Sequence, residues 1–302
     1  MSSTGLYQVA AAKADEYAGR SDVVAVAITG SVARGTSWHG SDVDLWAFTA
    51  SDPAGDDFFD GVVGDTYWEI DLKPIDWLTA STPDDWLTPP ALHDDDGVTP
   101  VEALWGCIVH TDRDGTLTRV SDQVRARMAD RAWLMRRASH YVHYGLGALD
   151  AQHDVAPLQA IFNARVIADK YAVAAHWMTQ GVLLSSIMRM PERLADWPEL
   201  HRLYRQIWDL DGETGAHAFI AAFEALPDAL RAPWDRDYAL EFMPAFKHGL
   251  YDGAVHYLRD HMAEHVDDFA SLLGLSDDLD LHKATVMAEV RDLLLRVLTS
   301  VT

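Results

Sequence analysis

One cysteine, Cys107, occurs in 302 residues. That excludes a disulfide framework within the chain and a zinc site built on cysteine pairs. Lysine is also scarce: Lys13, Lys73, Lys170, Lys247 and Lys283 are all there is. With 24 Lys and Arg against 47 Asp and Glu, the formal net charge is −23. Such a balance argues against a function that rests on holding DNA or RNA, because polyanion binding depends on basic side chains. It suits a cationic small-molecule partner, and it equally suits the acidic surface of a halophilic cytoplasmic protein, since the acidity is spread along the whole chain. No uninterrupted apolar run approaches the roughly eighteen residues of a membrane span. The first residues lack the basic and apolar regions of a secretory signal, so a cytoplasmic location is expected. There is no fixed-period repeat. Among the histidines, His140, His143, His153 and His176 have no partner at metal-ligand spacing.

What is present is concentrated in Gly30–Leu45, GSVARGTSWHGSDVDL. The apolar run Val23–Ile28 before it reads as a buried strand. Gly30 has no Cβ and so lets a ligand approach the backbone closely. Ser31 opens a helical turn whose first N–H groups are free to meet phosphate oxygens. Past an interval of ten residues come Asp42 and Asp44, alternating with Val43 and Leu45. On a strand that spacing puts both carboxylates on one face, the hard-oxygen donor set Mg²⁺ takes when it also carries a triphosphate.

The full order (apolar strand, Gly-Ser, a ten-residue interval, Asp-x-Asp on a second strand) resembles the signature of the DNA polymerase β-like nucleotidyltransferase superfamily. The sub-pattern GSxARGxxxxxSDxDL looks most like its small-molecule members, such as the aminoglycoside nucleotidyltransferases. The resemblance implies an α+β catalytic domain with a mixed sheet, followed by an all-α helical bundle. It implies two Mg²⁺ ions and ATP as substrate, with Gly30, Ser31, Arg34 and Ser41 at the nucleotide. It also implies a third carboxylate on a later strand, to hold metal or to take the acceptor proton. Tyr67–Lys73 alternates polar Glu69, Asp71 and Lys73 with apolar Trp68, Ile70 and Leu72. Asp71, mid-strand between two aliphatics, is the choice, and Glu69 on the same face is the alternative. Trp46 alternates back to the Asp44 face, where it would stack on adenine or line the acceptor pocket. A further apolar run ends in Asp112-Arg113-Asp114-Gly115, read as a turn after the last strand of the sheet rather than a second metal pair.

Composition changes near residue 120, which divides the chain into 1–120 and 121–302. Before it, short strands alternate with turns; Ser81 to Pro100 carries prolines and the acidic run Asp94–Asp96. After it the pattern is helical. Ser121 is the expected N-cap of a helix to Leu149. Further helices are expected over Leu158–Leu184, Glu199–Leu210, Gly215–Leu226, Pro244–Ala270 and Asp280–Val301. Arg165 and Lys170 lie on the second of these, which resembles the helix that brings a basic residue to the triphosphate in relatives. As a plainer alternative, Arg165 and Asp169 pair on a solvated face at i,i+4. Arg137 and His143 fall within the R-x(4–6)-H spacing of helical ribonucleases, a reading that loss of RNA cleavage in His143→Ala would support. Eleven tryptophans are present, and Trp133, Trp177 and Trp208 sit on apolar faces expected to be core.

The function expected is transfer of AMP from ATP to a hydroxyl of a small, cationic acceptor, with an aminoglycoside-like antibiotic favoured. Two other readings stay open: a nucleotidyltransferase that modifies a partner protein, and a non-catalytic nucleotide-binding regulator.

Overall fold

The computed structural model describes residues 3–38, 40–53, 57–92, 99–183, 189–262 and 278–301. His39, Asp94–Asp96, Leu184 and the 263–270 stretch of an expected helix lie outside them. Two compact units follow one another, Met1–Leu134 and Met135–Thr302.

The first unit is built on a five-stranded mixed sheet. Its strands are β1 (Val23–Ile28), β2 (Val43–Thr49), β3 (Phe58–Val63), β4 (Thr66–Pro74) and β5 (Ile108–Asp112), in the order β3-β4-β2-β1-β5. β1 runs antiparallel to β2 and β5, β2 parallel to β4, and β3 antiparallel to β4. Period two decides the two faces. Val43, Leu45 and Ala47 of β2 and Trp68, Ile70 and Leu72 of β4 join one core with helix α1 (Ser3–Ala18). α1 supplies Leu6, Ala10, Ala14 and Tyr17, a stripe at helical spacing. The opposite face therefore receives Asp44, Trp46, Glu69, Asp71 and Lys73.

A helical turn, α2 (Gly30–Ala33), follows β1, and α3 (Pro100–Leu104) precedes β5. Helix α4 (Thr116–Ala129) starts before the expected Ser121. Its start is set by the acidic turn: Asp112 accepts the Gly115 and Thr118 N–H groups at 3.0 and 2.8 Å, and Asp114 accepts that of Thr116 at 2.9 Å. Asp112, the last residue of β5, and Asp114 thus hold the turn with their side chains, in keeping with the turn read from the sequence. Ser121 is instead buried mid-helix, 3.4 Å from Cys107 Sγ. α4 is held on β5 in this way and lies within the first unit.

Asp130 breaks the helix expected to run to Leu149, and its side chain accepts the Trp133 N–H of α5 (Arg131–Asp150). The second unit continues with α6 (Pro157–Ile167), a wide π-type turn Ala168–Val173, α7 (Ala174–Thr179), α8 (Met190–Leu194), α9 (Pro198–Trp208) and α10 (Gly212–Glu224). Short turns α11 (Asp228–Arg231), α12 (Asp235–Asp237) and α13 (Met243–Lys247) lead to α14 (Tyr251–His261), and α15 (Leu279–Val301) packs on α6 and α9. Among the described residues no helix is long and apolar enough to cross a membrane.

Trp133, Trp177 and Trp208 are buried, as their apolar faces predict. The helical core also holds a polar network. Asp169 Oδ2 lies 2.8 Å from His256 Nε2, Trp208 Nε1 donates to Asp169 Oδ1 at 3.2 Å, and the Tyr204 hydroxyl lies 3.0 Å from His256 Nδ1. Asp169 pairs here, and not with Arg165. A buried network of this kind is costly to leave half-satisfied. His256→Phe is therefore expected to lower unfolding stability by about 2–3 kcal/mol, read by urea denaturation. A change under about 0.5 kcal/mol would show the network to be energetically idle.

A carboxylate cluster beneath a glycine turn

The site grows from the junction of β1 and β2. Ile28 pairs with Leu45 in the antiparallel register, and the Thr29 N–H donates to the Asp44 carbonyl at 2.9 Å. The chain then turns into α2 directly over Asp44. Gly30 has φ +63°, and a Cβ built on it would lie 1.5 Å from Asp44 Oδ2. The Ser31 hydroxyl oxygen is buried and makes no hydrogen bond.

Asp42 and Asp44 share a face, as their spacing requires. In the parallel β2–β4 pair Asp44 stands opposite Glu69, whereas Asp71 stands opposite Trp46. Asp42, Asp44 and Glu69 each offer an oxygen within 4.8 Å of the others. The register thus brings Glu69, the alternative, into the cluster in place of the preferred Asp71. Asp71 lies one step further along the same face, and its charge reaches both Asp44 and Glu69.

Like charges at this distance resist ionisation. The Asp44 charge, then burial, raises the Asp42 pKa to about 8. Burial, then the Glu69 charge, raises Asp44 to about 7, with Arg34 pulling the other way. Burial, then the Asp42 charge, raises Glu69 to about 7. The folded chain therefore holds protons that the unfolded chain has lost, from about pH 4 up to about pH 8. Stability should fall as pH rises through that window and level off above it. A divalent cation replaces those protons and removes the penalty. We expect Mg²⁺ to raise the melting temperature more at pH 8 than at pH 5, with the difference reduced in Asp44→Asn. Equal Mg²⁺ shifts at both pH values would contradict the account.

The donor set fits Mg²⁺: three carboxylates, no sulfur, no imidazole. The unpartnered Ser31 hydroxyl fits a phosphate beside it.

The other expected residues fall out differently. Arg34 lies with its guanidinium carbon 4.8 Å from the Trp105 ring centroid. Ser41 is buried and its hydroxyl accepts the Trp38 N–H at 3.0 Å, closing the loop before β2. Trp46 is on the Asp44 face, as expected, and packs against Trp77 at 5.0 Å between ring centroids. Arg165 has no exposed surface; its Nε donates to the Ile207 carbonyl at 2.8 Å at the end of α9. Arg259 donates to the Asp209 carbonyl, two residues on, at 2.8 Å. Two buried guanidiniums thus satisfy carbonyls at a helix C-terminus, where positive charge is favoured. Lys170 is half-buried on the wide turn after α6. Arg137 is buried against Tyr141, while His143 is exposed with Nδ1 2.7 Å from the Ser139 carbonyl. The pair does not share a helix face, which removes the support for a ribonuclease.

No family model and no curated protein sequence matches the chain. Among solved structures, a nucleotidyltransferase-like protein from Exiguobacterium sibiricum 255-15 is 14% identical, with 96% of this chain and 90% of that chain covered and a TM-score of 0.29.

Proposed function

We propose that the chain is a metal-dependent nucleotidyltransferase that moves AMP from ATP to a hydroxyl of a small, cationic acceptor and releases pyrophosphate. The observation that carries this is the cluster of Asp42, Asp44 and Glu69 under a glycine turn with an unpartnered serine hydroxyl. The resemblance of GSVARGTSWHGSDVDL to the polymerase β-like superfamily supports it.

Asp42, Asp44 and Glu69 would hold two Mg²⁺ ions. When bound, these neutralise the triphosphate and stabilise charge on the in-line transition state. The chain's own residues do the rest. Ser31 donates its hydroxyl hydrogen to a phosphate oxygen, and Gly30 leaves room for the Asp44 carboxylate beneath the turn. Asp71, outside the cluster but beside it, takes the proton of the acceptor hydroxyl as that oxygen attacks the α-phosphorus. Trp46 and Trp77 give the acceptor an apolar wall. The net charge of −23 favours a cationic acceptor of the aminoglycoside kind by raising its local concentration.

The test is pyrophosphate release from ATP and Mg²⁺ across aminoglycosides and lincosamides. Release that needs one compound and is lost in Asp42→Asn is the expected result. ATP bound with no release across the panel would refute the antibiotic acceptor, and activity on a protein fraction would replace it with a protein-modifying enzyme.

A further inference from the structure

Arg34 is seated with unusual care. It follows α2 directly, and its backbone N–H reaches the Gly30 carbonyl at 3.4 Å. Its side chain crosses to the turn before β5, on the far side of 70 residues of sequence. There its guanidinium lies over the Trp105 ring and Nη1 donates to the Trp105 carbonyl at 3.5 Å. The next residue, Gly106, has φ +66°, and a Cβ on it would lie 2.6 Å from Arg34 Cγ and 3.3 Å from Cδ. Gly106 therefore answers two demands, a left-handed backbone and a channel for the arginine stem.

The turn is itself held firmly. The Trp105 N–H donates to the Val101 carbonyl at 2.9 Å and the Cys107 N–H to the Leu104 carbonyl at 3.0 Å. Arg125 of α4 donates to the Cys107 carbonyl at 3.3 Å. A long flexible side chain is thereby fixed by a rigid aromatic and a missing Cβ. Its charge is felt at Asp44, within the carboxylate cluster.

We propose that Trp105 and Gly106 are positioning residues that hold Arg34 at the edge of the cluster, where its guanidinium meets the nucleotide triphosphate. The proposal rests on the nucleotidyltransferase reading above. A preorganised guanidinium gives more phosphate affinity than a mobile one, because less freedom is lost on binding.

The experiment is calorimetric titration of the full chain with a non-hydrolysable ATP analogue and Mg²⁺, with thermal unfolding of each variant alongside. Trp105→Leu and Gly106→Ala are each expected to weaken binding about tenfold, as loss of a charge-assisted hydrogen bond would. Trp105→Tyr keeps an aromatic face and should stay within about threefold of wild type. In an Arg34→Ala background the Trp105→Leu and Gly106→Ala effects should shrink to less than about twofold, since the residue they serve is gone. Equal losses in both backgrounds would overturn the proposal, as would an Arg34→Ala chain that binds like wild type. No binding by the wild-type chain would remove the nucleotide reading and this proposal together. The three results are distinct.

Discussion

Asp44→Asn will abolish nucleotidyl transfer and, at the same time, raise the melting temperature of the metal-free protein at pH 8. The two effects have one cause. Asp44 offers an oxygen within 4.8 Å of one on Asp42 and one on Glu69. Each neighbour feels like charge, and burial deepens the cost of ionising any of the three. An asparagine of the same shape removes a buried group that is costly to ionise, and with it the charge that does most to raise Asp42. What the fold gains, the site loses. Two carboxylates bind a divalent cation less well than three, and the cation's electrostatic work on a phosphoryl transition state is worth several kcal/mol. A loss of at least about 10³-fold in turnover is expected. The measurement is pyrophosphate release paired with calorimetric melting in EDTA. A lower melting temperature for the variant would show that Asp44 is a structural carboxylate and not a strained, functional one. Retained turnover would end the metal-site assignment outright.

The cluster is partly legible in the sequence, and the boundary of what is legible has a physical reason. Asp42 and Asp44 share a face because two residues separate equivalent positions on any strand, a local rule. Choosing Glu69 over Asp71 needs the register of β2 against β4, a parallel pair joined through β3, and both residues lie on the same face of their own strand. Nothing in the local alternation distinguishes them. Arg165 shows the same limit in the helical unit. Helical periodicity finds the residue's face, but not that the Ile207 carbonyl at the end of another helix waits there to receive it. The N-terminus of α4 falls early for a different reason. Asp112 and Asp114 read as turn formers, and the same side chains go on to cap the helix, so turn and cap are one feature. Gly106 carries no signal at all, since its role depends on Arg34, which approaches from far along the chain.

Gly30→Ala tests the turn over the cluster from the opposite direction, because it adds one methyl group and changes no charge. The glycine of such a motif is easily read as room for a ligand. The geometry requires it before any ligand arrives. A Cβ at this position would fall 1.5 Å from Asp44 Oδ2 and 2.5 Å from its Cγ, so Asp44 and the methyl cannot both stay. The backbone at φ +63° adds strain of about 1–3 kcal/mol for any residue with a Cβ. Nor can the turn simply lift away, since Thr29 is bonded to the Asp44 carbonyl and β1 is held between β2 and β5. The carboxylate must rotate out of the cluster. Gly30→Ala should therefore lose Mg²⁺ binding as fully as Asp44→Asn does, and also lower stability, where Asp44→Asn raises it. The opposite signs separate a displaced carboxylate from a deleted one. Combining the two changes should restore little activity and cost less stability than Gly30→Ala alone, since the buried negative charge that was forced aside is gone. Isothermal titration with Mn²⁺ and thermal melts on the two single variants and the double variant make the comparison. If Gly30→Ala binds Mn²⁺ as wild type does, the turn does not press on Asp44, and the glycine serves only the ligand.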